Sequence, residues 1–211
     1  MKYAPYVTRD HQQLASRFRR ALLYIVQALG EVGTTKLQKI LYLSDLEHFN
    51  ATGTTLTGAR WVRYTHGPMA KALLPSTEVM DGHEIAVSHE VAGPYETRVY
   101  RLGPSPRFQP NLTSEERFAL DRVLAITKGL TASDAIRLAY NTAPMLVIQK
   151  IEQTMGRIML DAEIPFELDP DVIADAAPGA IEPQVPGRSE FKRAELARVR
   201  DLQERALAQQ A

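Results

Sequence analysis

The stretch from Thr34 to Asn50 constrains the fold most, because read as a helix it is apolar on two sides. At 100° per residue Leu37, Ile40 and Leu41 fall on one side, while Tyr42, Leu43, Leu46 and Phe49 fall on another. A surface helix needs a single apolar stripe. A helix with two must be packed on both, which places this one near the middle of its domain. Thr34 offers a side-chain oxygen suited to an N-cap, and Ala51-Thr52-Gly53 closes the helix.

The flanking segments supply what such a helix packs against. Upstream, Leu14, Phe18, Ala21, Leu22, Ile25 and Leu29 recur at spacings of three and four, predicting a helix from Asp10 to Leu29. Downstream, Arg60 to Tyr64 is aromatic and branched and reads as a strand. His66-Gly67-Pro68 turns the chain. Pro68 suits the first position of a helix, which should run to Leu74 with Pro75 as an interruption. His83–Val91 and Glu96–Leu102 flank Gly93-Pro94 and read as a β-hairpin. Thr113 to Glu116 and Thr131 to Asp134 each have the form of a capping box opening a helix, and Pro144 opens a third. The fold class is therefore α+β, predominantly helical, with a small antiparallel sheet or hairpin and an appended C-terminal helix.

Composition changes near the end. Pro165, Pro170, Pro178, Pro183 and Pro186 crowd one segment, whereas 189–211 favours helix with a thin apolar stripe of Phe191, Leu196, Val199, Leu202 and Ala206. The expected organisation is a domain over 1–160, a linker over 161–188 and an amphipathic helix over 189–211. That helix would offer a second contact to a partner.

Charge and cysteine count narrow the chemistry. Lys plus Arg equals Asp plus Glu, at 25 each, so no overall field steers the chain to nucleic acid or membrane. With no cysteine, disulfides, thiolate metal sites and cysteine nucleophiles are excluded. The N-terminus lacks a signal pattern and no apolar run suits a bilayer, so the cytoplasm is the expected location, with no membrane partner.

Motif tests point the same way. Gly30-Glu31-Val32-Gly33-Thr34-Thr35-Lys36 lacks the spacing of a phosphate loop and reads as one helix ending before the next begins. The five histidines show no ligand spacing, so neither metal nor cofactor is expected. No nucleophile elbow occurs and no catalytic residue is assigned. The order of elements also suits a winged helix, with the helix after Pro68 as reader and the hairpin as wing. Against that alternative, residues 68–82 offer Lys71 as their one base. A denser basic patch is Arg17, Arg19 and Arg20 with Lys36 and Lys39.

Thr35-Lys36-Leu37-Gln38-Lys39-Ile40-Leu41-Tyr42, Trp61 to Tyr64 on a strand, and His66-Gly67-Pro68 together resemble the Panacea (SocA-like) antitoxin domain, over residues 10–155. The family often has Tyr where His66 stands. The resemblance implies a non-enzymatic protein that binds and neutralises a co-encoded toxin. Toxins of such pairs are chemically unrelated, small alarmone synthetase-like enzymes and membrane-acting peptides among them. Leu37, Ile40, Leu41 and Tyr42 read as core, and Gly67 and Pro68 as turn formers. Polar residues are not needed to fill a core, so Arg17, Arg20, Lys36, Gln38, Lys39 and Arg63 are candidate partner contacts. Tyr64 and His66 join them, and Trp61 reads either as core or as an interface anchor, since aromatic residues dominate interface hot spots. Homo-oligomerisation and DNA binding stay open at this stage.

Overall fold

The structure, a computed structural model, describes residues 9–92, 95–104 and 110–176. In chain order the elements are α1 (Arg9–Leu29), β1 (Glu31–Gly33), α2 (Thr34–Thr52), β2 (Trp61–Tyr64), β3 (Gly67–Ala70), α3 (Leu73–Met80), β4 (Ile85–Ala92), β5 (Tyr95–Leu102), α4 (Ser114–Thr127), α5 (Ala132–Tyr140), α6 (Ala143–Met155) and α7 (Pro170–Ala176). The fold is α+β and mostly helical. Two compact units divide it: Met1–Arg60 with Ala70–Ile136, and Trp61–Met69 with Arg137–Ala211.

In the first unit α2 packs against α1, α4, β1 and β5. Leu37, Ile40 and Leu41 on one side are fully buried, as is Tyr42 on the other, whereas Leu43, Leu46 and Phe49 of that second side are only part-buried. Phe18, Ala21, Leu22 and Ile25 bury the stripe of α1. The predicted hairpin forms, with Val87 opposite Tyr100 and Ile85 opposite Leu102. Its turn, Gly93-Pro94, lies outside the described residues. On the far edge of β5 lies β1, with Val32 opposite Tyr100, so the antiparallel order is β1-β5-β4. A strand of three residues is too short for alternation to reveal it.

Thr34 does not cap α2. The N-cap is Gly33, and Thr34 Oγ1 instead donates to the Arg98 carbonyl at 3.1 Å and lies 3.2 Å from the Tyr100 hydroxyl. Pairing of Glu31–Gly33 with β5 carries the chain extended up to the helix, so the hydroxyl faces the sheet. Both predicted capping boxes form. Thr113 and Glu116 exchange side-chain-to-backbone hydrogen bonds at 2.9 and 3.2 Å, and Thr131 and Asp134 do the same at 3.1 Å each.

Pro68 and Pro75 exchange their expected roles. Pro68 sits in strand β3, and the helix opens later, at Leu73. Pro75 is the third residue of α3, inside the first turn, where a missing N–H leaves no helical bond unmade.

In the second unit β2 and β3 form a two-stranded sheet. Residues 161–164 run beside β2. Arg63 N donates to the Ala162 carbonyl and Asp161 N to the Arg63 carbonyl, each at 2.8 Å, while Ile164 N donates to the Trp61 carbonyl at 3.0 Å. α6 starts with Pro144 in its first turn and ends at Gly156 in the left-handed region. α7 packs against α6. The expected linker is described as far as Ala176, and residues 177–188 and the expected helix 189–211 lie outside the described residues.

Candidate functional site

The second unit is organised around a buried guanidinium. Arg63 follows Trp61 and Val62 on β2 and is 1% exposed. A charge so placed needs a partner that satisfies its fixed fork of donors. Glu152 on α6 supplies it: Arg63 Nε donates to one carboxylate oxygen at 2.9 Å and Nη2 to the other at 3.3 Å. Nη1 donates to the Tyr64 carbonyl. The Glu152 carboxylate also accepts the Met159 N–H at 2.9 Å, fixing the chain just past α6.

Tyr140 covers this pair. The Arg63 guanidinium carbon lies 5.2 Å from the centre of its ring. Burial pushes the Tyr140 hydroxyl up to about 12, with Arg63 opposing the shift and Glu152 adding to it. Gln149 holds the end of α5 by donating to the Tyr140 carbonyl at 2.9 Å. The Tyr140 ring also meets Gly67. A Cβ there would stand 2.9 Å from Tyr140 Cε2, and the Gly67 φ is +87°. Two independent requirements, the close ring and the left-handed backbone, thus select glycine in the Gly-Pro motif.

In the first unit Gln38 explains the amide of the helix motif. It is 6% exposed, accepts the Ala70 N–H at 2.9 Å and donates back to the Ala70 carbonyl at 3.4 Å. The side chain thereby pairs with backbone two residues beyond Pro68, as a neighbouring strand would. Lys39 beside it is 3% exposed. Gln38, Lys39 and Arg63 are therefore interior, which corrects their reading as surface side chains. A core can hold polar groups whose donors and acceptors are met, and for Gln38 and Arg63 the partners that meet them come from distant parts of the sequence. Trp61 is buried as well.

The loop after α2 is pinned by three side chains. Buried Asp45 accepts the Thr57 N–H at 2.6 Å and the Thr57 hydroxyl. Arg17 donates to the Leu56 and Thr55 carbonyls. His48 Nδ1 lies 2.6 Å from the Thr54 carbonyl, so that nitrogen carries the proton. His48 also lines a cleft of about 330 Å³ with Glu47, Ser114, Glu115 and Phe118. Glu115 is held below the usual carboxylate range, chiefly by its own backbone N–H at the start of α4, then by Thr113. Among the described residues no three His, Asp or Glu side chains cluster as metal ligands, and no helix is long and apolar enough to cross a membrane.

The basic patch is largely engaged within the chain. Arg19 pairs with Glu84, and Arg20 lies 3.9 Å from Glu116. Lys36 Nζ donates to the Lys128 carbonyl at 2.9 Å, and partial burial lowers its pKa. The proposed DNA-reading helix fares no better. α3 reads Leu-Leu-Pro-Ser-Thr-Glu-Val-Met, without a base or an amide to reach a groove. Of the contact candidates, Arg17, Arg20, Lys36 and Tyr64 are partly exposed and His66, in the β2–β3 turn, is exposed.

Sequence reasoning missed Glu152, Tyr140 and Asp45. Glu152 left a signal: it falls on the same side of α6 as Met145 and Ile148, and a carboxylate on an apolar stripe demands a cation. Tyr140 and Asp45 left none. Residues 37–144, just over half of the chain, match the family model described as antitoxin SocA-like, Panacea domain. No curated protein and no solved structure matches the chain.

Proposed function

Because the chain belongs to the SocA-like Panacea antitoxin domain family, we propose that it is an antitoxin, neutralising a co-encoded toxin by binding it directly. The family match carries this reading. The site geometry supports binding over catalysis. The polar groups at the motif are committed to partners inside the chain: Arg63 to Glu152, Gln38 to Ala70. Within each unit these internal bonds hold the motif side chains in place, so that little ordering of them is needed on binding. In this proposal the protein is not an enzyme, needs no cofactor and works in the cytoplasm on a protein toxin, with 1–160 as the binding domain.

The contact surface we propose includes the β2–β3 turn, where Tyr64 and His66 reach solvent beside the buried Arg63. Arg17, Arg20 and Lys36 are proposed as a second set on the first unit. The test is affinity capture of the product of the adjacent reading frame by the purified chain. His66→Asp should weaken capture at least tenfold at unchanged thermal stability. Equal capture by His66→Asp and the parent would remove the turn from the interface. No capture by either would remove the antitoxin reading.

A further inference from the structure

The cleft between α2 and α4 has a lining of one chemical kind. Its polar side chains are the Glu47 and Glu115 carboxylates, the Ser114 hydroxyl and the His48 ring, and among the described residues no Lys or Arg lines it. His48 is 7% exposed, and its Nδ1 is given to the Thr54 carbonyl. Nε2 is then an acceptor, and among the described residues nothing donates to it. Glu115 is held in its charged form by its own backbone N–H and by Thr113, and among the described residues no Lys or Arg pairs with it. Glu47, His48 and Ala51 come from the last turns of α2, the end of a helix that favours positive charge. An anion would find little at the start of α4, because the amides of Thr113, Glu115 and Glu116 are already bonded. The lining therefore suits a cation that donates hydrogen bonds.

Apolar surface accompanies these acceptors. Ala51 and Ala119 line the cleft, as does Phe118, which is 60% exposed. An exposed aromatic face beside carboxylates attracts a cation. The chain itself uses this chemistry: Arg122 Nε lies 3.2 Å from Glu47, and its guanidinium carbon is 5.8 Å from the centre of the Phe118 ring. A ligand with a charged head and an apolar stem meets both halves of the lining. At about 330 Å³ the cleft is at the small end of ligand pockets, which suits one long side chain better than a large cofactor. Outside it, α4 continues as a surface fit for a protein. Phe118, Arg122 and Ile126 recur at spacings of four and all three are exposed. Aromatic and arginine side chains dominate protein interfaces.

We propose that the α2–α4 cleft receives a basic side chain, arginine or lysine, from a protein partner, with its charged head at Glu115 and His48 and its stem along Phe118. The inference concerns the first unit alone and does not depend on the antitoxin reading.

The probe is Nα-acetyl-arginine amide, titrated into the isotope-labelled full-length chain and followed by the NMR shifts of His48 and residues 114–119. Nα-acetyl-citrulline amide is the neutral isostere. A ligand this small should bind in about the millimolar range. The expected result is saturable shifts at those residues with the arginine probe and about tenfold weaker binding of citrulline. Glu115→Gln and Phe118→Ala change exposed side chains and should each weaken arginine binding about threefold, and together about tenfold. Glu78→Gln, outside the cleft, should change nothing. Equal binding of the two probes, shifts confined to other residues, or undiminished binding by the double variant would overturn the proposal. Spermidine binding about tenfold more tightly than the arginine probe would assign the cleft to a free polyamine and overturn the protein partner.

Discussion

At Gly67 the backbone runs against the ring of Tyr140, where an added Cβ would stand 2.9 Å from Cε2 and 3.3 Å from Cδ2. The two residues are 73 positions apart in sequence (67 and 140). Their contact explains why position 67 of the Gly-Pro motif is glycine. Gly67→Ala combines a left-handed backbone with overpacking and should cost about 2–4 kcal/mol. Gly53 also has a left-handed φ, +74°, but a Cβ there meets nothing within 4 Å. Gly53→Ala should therefore cost only about 1 kcal/mol. Urea unfolding of both variants measures the difference, which reports the Tyr140 contact.

Arg63 and Glu152 should behave as a buried pair. Removing either partner leaves the other charge buried alone and should cost about 3–5 kcal/mol. Arg63→Met combined with Glu152→Leu should cost much less than the sum of the single changes, because no charge is stranded. A double-mutant cycle by chemical denaturation reads the coupling. Additive single effects would show that the pair is not formed.

Tyr140 predicts an alkaline limit to stability. Its hydroxyl is raised by burial from the ordinary tyrosine value of 10.0 to about 12, so the neutral form is favoured in the folded state. The folded pKa lies above the unfolded one. The contribution is complete below pH 10 and is lost as pH rises through 12. The size is about 2–3 kcal/mol. Tyr140→Phe should flatten the decline in urea midpoint between pH 10 and pH 12 and change little at pH 8. An unchanged slope in the variant would place the alkaline transition elsewhere.

Asp45 should control the loop after α2. Asp45→Ala leaves the Thr57 N–H and hydroxyl without their acceptor in the interior and should cost about 2–3 kcal/mol. The measurable signature beyond stability is local: amides of residues 54–59 should exchange faster while those of α4 keep their protection.

The larger pattern was legible in the sequence. Two-sided hydrophobicity located α2 at the centre of its unit, and Thr113 and Thr131 announced their helices through capping chemistry. The hairpin of β4 and β5 followed from alternation. What failed did so where tertiary contacts override local preference. Pro68 looks like a helix start because its φ suits one, but that φ also suits a strand without a donor. Gln38, Lys39 and Arg63 look like surface residues because polarity is local information, whereas Ala70 and Glu152, the partners that let Gln38 and Arg63 be buried, are 32 and 89 positions away. Tyr64 and His66, proposed as partner contacts, are part-exposed and exposed, the one property of a contact residue that local polarity in the sequence does suggest.

Neutralisation by direct binding is tested most directly by co-expression with the adjacent reading frame, scored as growth and followed by co-purification. The expected result is arrest by the neighbour alone, rescue by the chain, and recovery of both proteins in one complex that His66→Asp weakens. A neighbour that is harmless alone, or rescue without any complex between the two proteins, would contradict the account.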